Sequence, residues 1–458
     1  MTQDSRPRGM MTTFIAIWLS QAISLLGSSM TGFALSIWAW EKTGQATALA
    51  MAAFFYAGAV MVASPFAGAL VDRWNRKLVM ALSDLAAAAS TVVLLVLLVA
   101  GRLEIWHLFA ANAFSGFFQA FQWPAYSAAV TMIVPKKHYA RAGAMMGLAE
   151  SAGFILAPIL AAVLLRTVGL AGIMAIDVAI AGLAAAIVLL LRIPQPETSA
   201  AGREGRGSLW KESLYGFRYI FERPGLLGLQ LIFFSGNLLD GLAYTLLAPL
   251  ILSRTANDVL ALGSVQSAIG FGALLGGLLL SVWGGLRRQV HGVLLGWAAT
   301  ALLGQLVFGL GRAVPFWAIV GFFFGFVSPV VNASNQAIWQ AKVAPDVQGR
   351  VFSVRRMIAQ VSQPLAMLAA GPLADRVFEP AMRSDGGLTR ALGWLVGTGP
   401  GTGIALIFVF CGVLGTVSGL AGYAFRLVRD VETILPDHDA AANSAAVERP
   451  QPTEGPGA

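Results

Sequence analysis

The chain has 458 residues, of which 57% are hydrophobic and only 12% charged, with a mean hydropathy of +0.71; an ordinary soluble chain carries roughly 25% charged residues. That balance excludes a soluble enzyme or signalling domain, because so much apolar sequence cannot hide in a soluble core. The net charge of +8 does not point to nucleic acid, since the basic residues are scattered among short loops and do not line one face.

Taken in chain order, Arg6 and Arg8 precede an apolar stretch, but Phe14 to Trp40 is too long for a signal-peptide core and has no small-residue cleavage site, so it reads as a first membrane helix. A hydrocarbon layer of ~30 Å takes ~20 helical residues. Runs such as Thr91 to Ala100 (TVVLLVLLVA) and Ile404 to Cys411 are continuous and not alternating, which predicts helices and excludes a β-barrel. Reading apolar runs between polar punctuation places helices near 13–40, 46–71, 77–100, 105–132, 142–166, 169–192, 226–253, 258–283, 289–311, 314–340, 350–374 and 402–428. With both termini on the cytosolic side, 23 of the 31 lysines and arginines fall in inner segments and 8 in outer ones, the asymmetry expected of a multi-pass protein.

Pro194 to Pro224, rich in Pro, Gly and charge, divides the chain into two six-helix halves, 1–193 and 226–430, joined by a cytosolic linker at 194–225. Inside it, Trp210, Leu214, Phe217 and Phe221 recur at helical spacing over Leu209 to Glu222. The pattern predicts an interfacial amphipathic helix, with Trp210 and Phe217 toward lipid and Lys211 and Arg218 toward head groups. The tail at 431–458 is Ala-, Pro- and acid-rich and is expected to be disordered. The lone cysteine, Cys411, sits in an apolar run, so no intrachain disulfide is possible. The halves show weak internal similarity: Val134-Pro135 with Arg141 matches Ala344-Pro345 with Arg350, and each follows a polar helix end, Gln122 to Tyr126 or Asn332 to Gln336.

The most specific segment is Gly68-Ala69-Leu70-Val71-Asp72-Arg73-Trp74-Asn75-Arg76-Lys77. It resembles the G-x-L-x-D-R-x-x-R-K signature of the major facilitator superfamily, and Ser24 to Ser28, Phe118 to Ala125 and Gly397 to Gly401 look like its macrolide-efflux and drug-exporter branch. The resemblance implies an all-α integral membrane fold of twelve transmembrane helices in two pseudo-symmetric halves. It implies transport without cofactor, metal or enzymatic step, by a monomer in the plasma (inner) membrane of a bacterium. It further implies a conformational latch built from Gly68, Asp72, Arg73, Arg76 and Lys77, met by Arg355 and Arg356 if helices two and eleven are neighbours. Two departures qualify the branch: the glycine row of the antiporter signature is here Ala144, Gly153, Ala157-Pro158 and Ala161-Ala162, and Asn112 stands before Gly116 where drug–proton antiporters often carry Arg.

Ionisable residues inside membrane helices are costly and usually retained for pairing or function. Asp84 and Asp177 lie close enough to helix ends for structural pairing, whereas Asp240 and Glu150 lie deeper and are the candidates for proton coupling. Asn237, Asp240 and Tyr244 follow i, i+3, i+7 spacing on one face, as a buried hydrogen-bond cluster also would. Gln21, Gln119, Gln122, Tyr126, Asn332, Asn335 and Gln336 complete a candidate substrate pathway, although each alone reads more readily as an interhelical hydrogen bond. The expected function is proton-coupled export of an amphiphilic small molecule, a drug, macrolide-like compound or secondary metabolite, by alternating access; lysophospholipid or siderophore transport is the alternative. His107, His138, His291 and His438 are dispersed and no phosphate-binding loop is present, against an enzyme or ATP-driven pump; no repeated filter loops or charge rings suggest a channel.

Overall fold

A computed structural model describes residues 9–71, 74–134, 139–191, 216–343, 347–383 and 387–436. The described residues are helical with no strand. The first six membrane helices are α1 (Gly9–Thr43), α2 (Ala46–Val71), α3 (Arg76–Val99), α4 (Ile105–Ile133), α5 (Tyr139–Thr167) and α6 (Gly169–Leu190). The second six are α7 (Pro224–Thr245, continued by Leu247–Arg254), α8 (Val259–Trp283), α9 (Gln289–Ala299, continued through Thr300–Leu306 to Val307–Leu310), α10 (Val314–Lys342), α11 (Gln348–Pro372, continued through Leu373–Phe378 to Glu379–Arg383) and α12 (Thr402–Ala424). Among the described residues, 10 helices are long and apolar enough to cross a membrane. The other two, α4 and α11, have the length but are more polar, carrying Asn112, Gln119 and Gln122 or Arg355, Arg356, Gln360 and Gln363.

Short turns enforce the antiparallel order. Left-handed glycines reverse the chain after α1 at Gly44 (φ 62°), after α3 at Gly101 (φ 66°) and after α8 at Gly284 (φ 81°), a conformation that a Cβ disfavours. Asn75 and Asp258 cap α3 and α8 by accepting backbone N–H bonds from Lys77 and from Leu260 and Ala261. The two halves repeat one packing scheme. In the first, α1 lies on α5 and α6, and α4 on α2 and α3, with α3 on α6; in the second, α7 lies on α11 and α12, and α10 on α8 and α9, with α9 on α12.

All six helices of each half alternate, so both halves begin and end at one face, the terminal face, and α1/α2 and α7/α8 turn at the opposite, far face. At the far face one apolar core joins the halves: Phe33, Trp40, Leu49 and Ala161 pack with Leu250, Leu262, Ile269, Ala370 and Phe408. Toward the terminal face the core divides in two. Phe14, Ile17, Met80, Phe121 and Ile133 belong to the first half, and Leu226, Leu229, Trp297, Ile338 and Trp339 to the second. The described molecule is therefore closed between its halves at the far face and parted toward the terminal face.

Three details differ from expectation. The chain does not leave the fold at Val431: Val431–Ile434 is helical, Val431 is fully buried, and the Glu432 carboxylate accepts the first N–H groups of α9 from Gln289 (3.0 Å) and Val290 (3.1 Å). Capping an otherwise open helix end fastens the tail through residue 436; residues 437–458 lie outside the described residues. An additional short helix, Gly387–Val396, lies between α11 and α12 at the far face. Trp210, Leu214 and Lys211 lie outside the described residues, while Phe217 and Tyr219 pack against the second half's core and Arg218 pairs with Glu222 (2.6 Å).

Candidate functional site

Two helix pairs form the seam between the halves, α5 with α8 and α2 with α11. The small residues of α5 make the first possible: Ala157, Ala161 and Ala162 are at most 1% exposed, and a Cβ on Gly263 of α8 would stand 2.9 Å from the Pro158 carbonyl. Ser267 of α8 donates to the Ile155 carbonyl (2.6 Å). Ala157, Ala161 and Ala162 of the row that replaces the glycine signature are thus buried beside the seam, where small side chains let two backbones approach.

The second pair holds a carboxylate. Asp375 of α11 accepts from the backbone N–H groups of Ala46 (3.1 Å) and Thr47 (2.7 Å) and from the Thr47 hydroxyl (2.6 Å). It caps the N-terminus of α2, in the other half, and the unpaired amides and dipole there favour a negative charge. Gly371, one turn earlier, lies against Thr47 so closely that any Cβ would collide with its backbone. Asp375 sits in a π-helical segment, Leu373–Phe378, of the kind that often marks functional positions. Four residues on, Glu379 accepts from the Ile404 amide (3.0 Å) at the start of α12. Nearby, Trp40 of α1 donates to Asn257 (2.7 Å), and Arg166 meets Asp258 (3.5 Å). Together these groups seal the far face. Sequence reasoning missed Asp375, although a signal was available: Gly371-Pro372-Leu373-Ala374-Asp375-Arg376 repeats the G-x-L-x-D-R spacing of Gly68 to Arg73 at the other end of the same helix pair.

Of the latch residues at the terminal face, Asp72 and Arg73 lie outside the described residues. Gly68 falls in the last turns of α2, and Arg76 and Lys77 open α3. Arg355 turns into its own half, donating to Gln336 (2.8 Å) and lying 5.3 Å from the centre of the Trp339 ring; Arg356 is exposed. α2 and α11 are neighbours, the condition on which the expected latch rests.

The deeper polar groups form separate clusters. Asp84 accepts from Gln21 (2.8 Å) and Gln122 (2.9 Å), which also bond to each other (2.7 Å), so two pathway candidates serve to hold a buried acid. Asp240 accepts from Gln305 (3.2 Å), which lies in the π-helical segment of α9. Tyr244 stacks on Phe154 of α5 across the seam, with ring centres 6.4 Å apart, and Asn237 bonds back to the Phe233 carbonyl (2.9 Å). Glu150 accepts from Trp123 (3.2 Å) and borders a crevice of about 580 Å³ between α5 and α8. Gln119 lines a cavity inside the first half. Tyr126 has a buried hydroxyl with no hydrogen-bond partner among the described residues. Asn332 is exposed, whereas Asn335 is fully buried and accepts from Trp339 (3.1 Å), which leaves it no face on a pathway in this state. Among the described residues no cluster of His, Cys, Asp and Glu could hold a metal ion.

Comparison with known proteins agrees with this architecture. Residues 17–367 match the family model described as Major Facilitator Superfamily. The chain is 27% identical over 378 residues to Macrolide efflux protein A of Streptococcus pyogenes, covering 80% of this chain and 90% of the relative. It is 25% identical over 342 residues to the Enterobactin exporter EntS of Escherichia coli O6:K15:H31 (strain 536 / UPEC), covering 74% and 79%. Among solved structures, a bacterial homolog of the human lysosomal transporter Spinster, in an inward-facing and occupied conformation, superposes with a TM-score of 0.66 at 14% identity, covering 93% of this chain and 98% of that one. The nucleoside transporter NupG gives a TM-score of 0.59 at 13% identity, covering 90% and 99%. With a family match over most of its length and a twelve-helix membrane fold built from two repeated halves, the chain belongs to the major facilitator superfamily and is a membrane transporter, not an enzyme.

Proposed function

We propose that this transporter exports an amphiphilic small molecule by alternating access, driven by protons, with both termini in the cytosol. The observation that carries the reading is the division of the core, joined across the halves at the far face and separate toward the terminal face. Under the orientation that the lysine and arginine bias favours, the terminal face is cytosolic, so the described state is open to cargo from within. The export direction is supported by the two curated relatives, one a macrolide efflux protein and the other an enterobactin exporter.

Asp240 is the proposed proton carrier and Glu150 its accessory. Asp240 sits near mid-helix beside a segment of α9 whose hydrogen bonding is already irregular, and its described partner, Gln305, is neutral. A carboxyl with a neutral partner can gain or lose a proton without breaking an ion pair, as a coupling group must. Inside-out vesicles, energised and then uncoupled, test the reading against a panel of dyes, macrolides, siderophores and lysolipids. Energised uptake of a panel member should collapse with the uncoupler. Asp240→Asn should abolish uptake against a gradient while sparing downhill exchange. If Asp240→Asn vesicles still concentrate cargo with the parent's pH dependence, the acid is structural and coupling lies elsewhere.

A further inference from the structure

At the far face of the second half lies a cleft of about 590 Å³ that no residue of the first half lines. Three parts of the chain meet there: Arg254 at the end of α7, Arg312 in the turn between α9 and α10, and Trp394, Thr398 and Thr402 along the link from the short helix Gly387–Val396 into α12. Arg254 ties the three together, donating to the Gly311 carbonyl (2.6 Å) and to the Val396 carbonyl (2.7 Å). A guanidinium has five N–H groups, so Arg254 keeps donors to offer the cleft. Arg312 is exposed, stands beside Gly397 and forms no ion pair among the described residues.

The short helix has two unlike faces. Leu392, Leu395 and Val396 pack onto the far-face core, whereas Leu388 (43% exposed), Trp394 (75% exposed) and Arg390 face outward. An outward indole and leucine beside an arginine, on a helix too short to span, mark a segment lying in the plane of the membrane interface. The charges of the cleft name the chemistry of its occupant. Arg312 acts on Arg254 as a like charge, and two neighbouring guanidiniums repel unless an anion lies between them. Glu379 also reaches Arg254, but its carboxylate accepts from the Ile404 amide and lines the neighbouring pocket. With Arg390 counted, this corner keeps an excess of positive charge. The planar guanidinium fork matches phosphate oxygens, and basic pockets between membrane helices suit lipid head groups.

We propose that this cleft holds the phosphate of an anionic phospholipid from the leaflet at the far face. Arg254 and Arg312 lie on the phosphate oxygens, while Trp394 and Leu388 lie along the glycerol and the first methylenes of the acyl chains. The cleft is apart from the seam, so the inference depends neither on the cargo nor on the coupling ion.

Native mass spectrometry of the full-length, detergent-purified protein tests it, by titration with phosphatidylglycerol and separately with phosphatidylcholine, whose phosphate is neutralised by its own choline. The parent should bind phosphatidylglycerol saturably and in preference to phosphatidylcholine. Arg312→Gln removes an exposed side chain and should weaken phosphatidylglycerol binding about tenfold, the scale of one hydrogen-bonded charge pair. Arg102→Gln, the same change at an exposed far-face arginine of the first half, should leave it unaltered. Trp394→Ala should weaken it severalfold, and inorganic phosphate should fail to displace the lipid at equal concentration. Equal binding of the two lipids by the parent, or an Arg312→Gln affinity no lower than that of Arg102→Gln, would overturn the proposal. Unchanged binding in Trp394→Ala, or ready displacement by phosphate, would show a site for free anions and overturn it equally.

Discussion

A carboxylate at a helix N-terminus gains from amides that have no partner of their own and from the helix dipole, typically ~0.3–1 kcal/mol when exposed and more when partly buried. Asp375 places that interaction between the two halves, accepting three hydrogen bonds from Ala46 and Thr47. Hydrogen bonds to a charged group contribute about 1.5–3 kcal/mol each against full desolvation, and the partial exposure of this site argues for the low end. Asp375→Asn should therefore shift the population toward the far-face-open state by about tenfold, the ratio that ~1.4 kcal/mol commands. Spin labels on the far ends of α2 and α11 would report it as a longer distance in electron double resonance; an unchanged distribution would show the cap to be decorative. The Asp72 latch expected at the opposite end should act with the reverse sign. On the proposed alternating-access mechanism, Asp72→Asn would favour the described state, lowering transport at equal expression.

At the scale of elements, glycine decides how near α8 and α10 can run. A Cβ on Gly272 would enter the Phe322 carbonyl, one on Gly276 the Phe326 carbonyl, and one on Gly325 the Ile269 carbonyl, so the two backbones interlock with no side chain between them. Gly272→Leu should cost the second half about 1–3 kcal/mol through overpacking, read as a lower midpoint of thermal aggregation in detergent; a midpoint equal to the parent's would mean that the pair can slide apart freely. The helices themselves were legible from hydropathy because lipid leaves the backbone no alternative, and the observed bounds fall within four residues of those expected except at the end of α11, which runs on to Arg383. The short helix Gly387–Val396 escaped because ten residues cannot span a bilayer and so give no hydropathy signal. Glu432 escaped for another reason: its role depends on the open end of α9, far away in sequence. At the candidate site, Asp240 and Glu150 were legible as acids out of place in apolar runs. Their partners were not, since Gln305 lies in an irregular turn that no period announces, and Gln21 and Gln122 proved to serve Asp84.

At the scale of the whole molecule, one packing scheme recurs in both halves, and α2/α11 and α5/α8 are the surfaces on which the halves meet. The far-face core, however, belongs to neither body alone. Trp40, Leu49 and Ala161 share it with Leu250, Leu262 and Ala370, so amides beneath it are sheltered only while the halves stay together. Backbone hydrogen exchange should therefore divide the chain by depth and not by sequence half. Far-side amides of α2, α5, α8 and α11 should exchange together, through one shared opening, whereas the terminal-side cores around Phe121 and around Trp339 should exchange independently of each other. Mass spectrometry of deuterated peptides would resolve the two classes, and exchange of far-side peptides on two unrelated timescales would mean that the joined core is not cooperative. A cargo that holds the halves together should slow the first class and leave the others alone, so a deuterium label could rank ligands by the state they favour without any transport being measured.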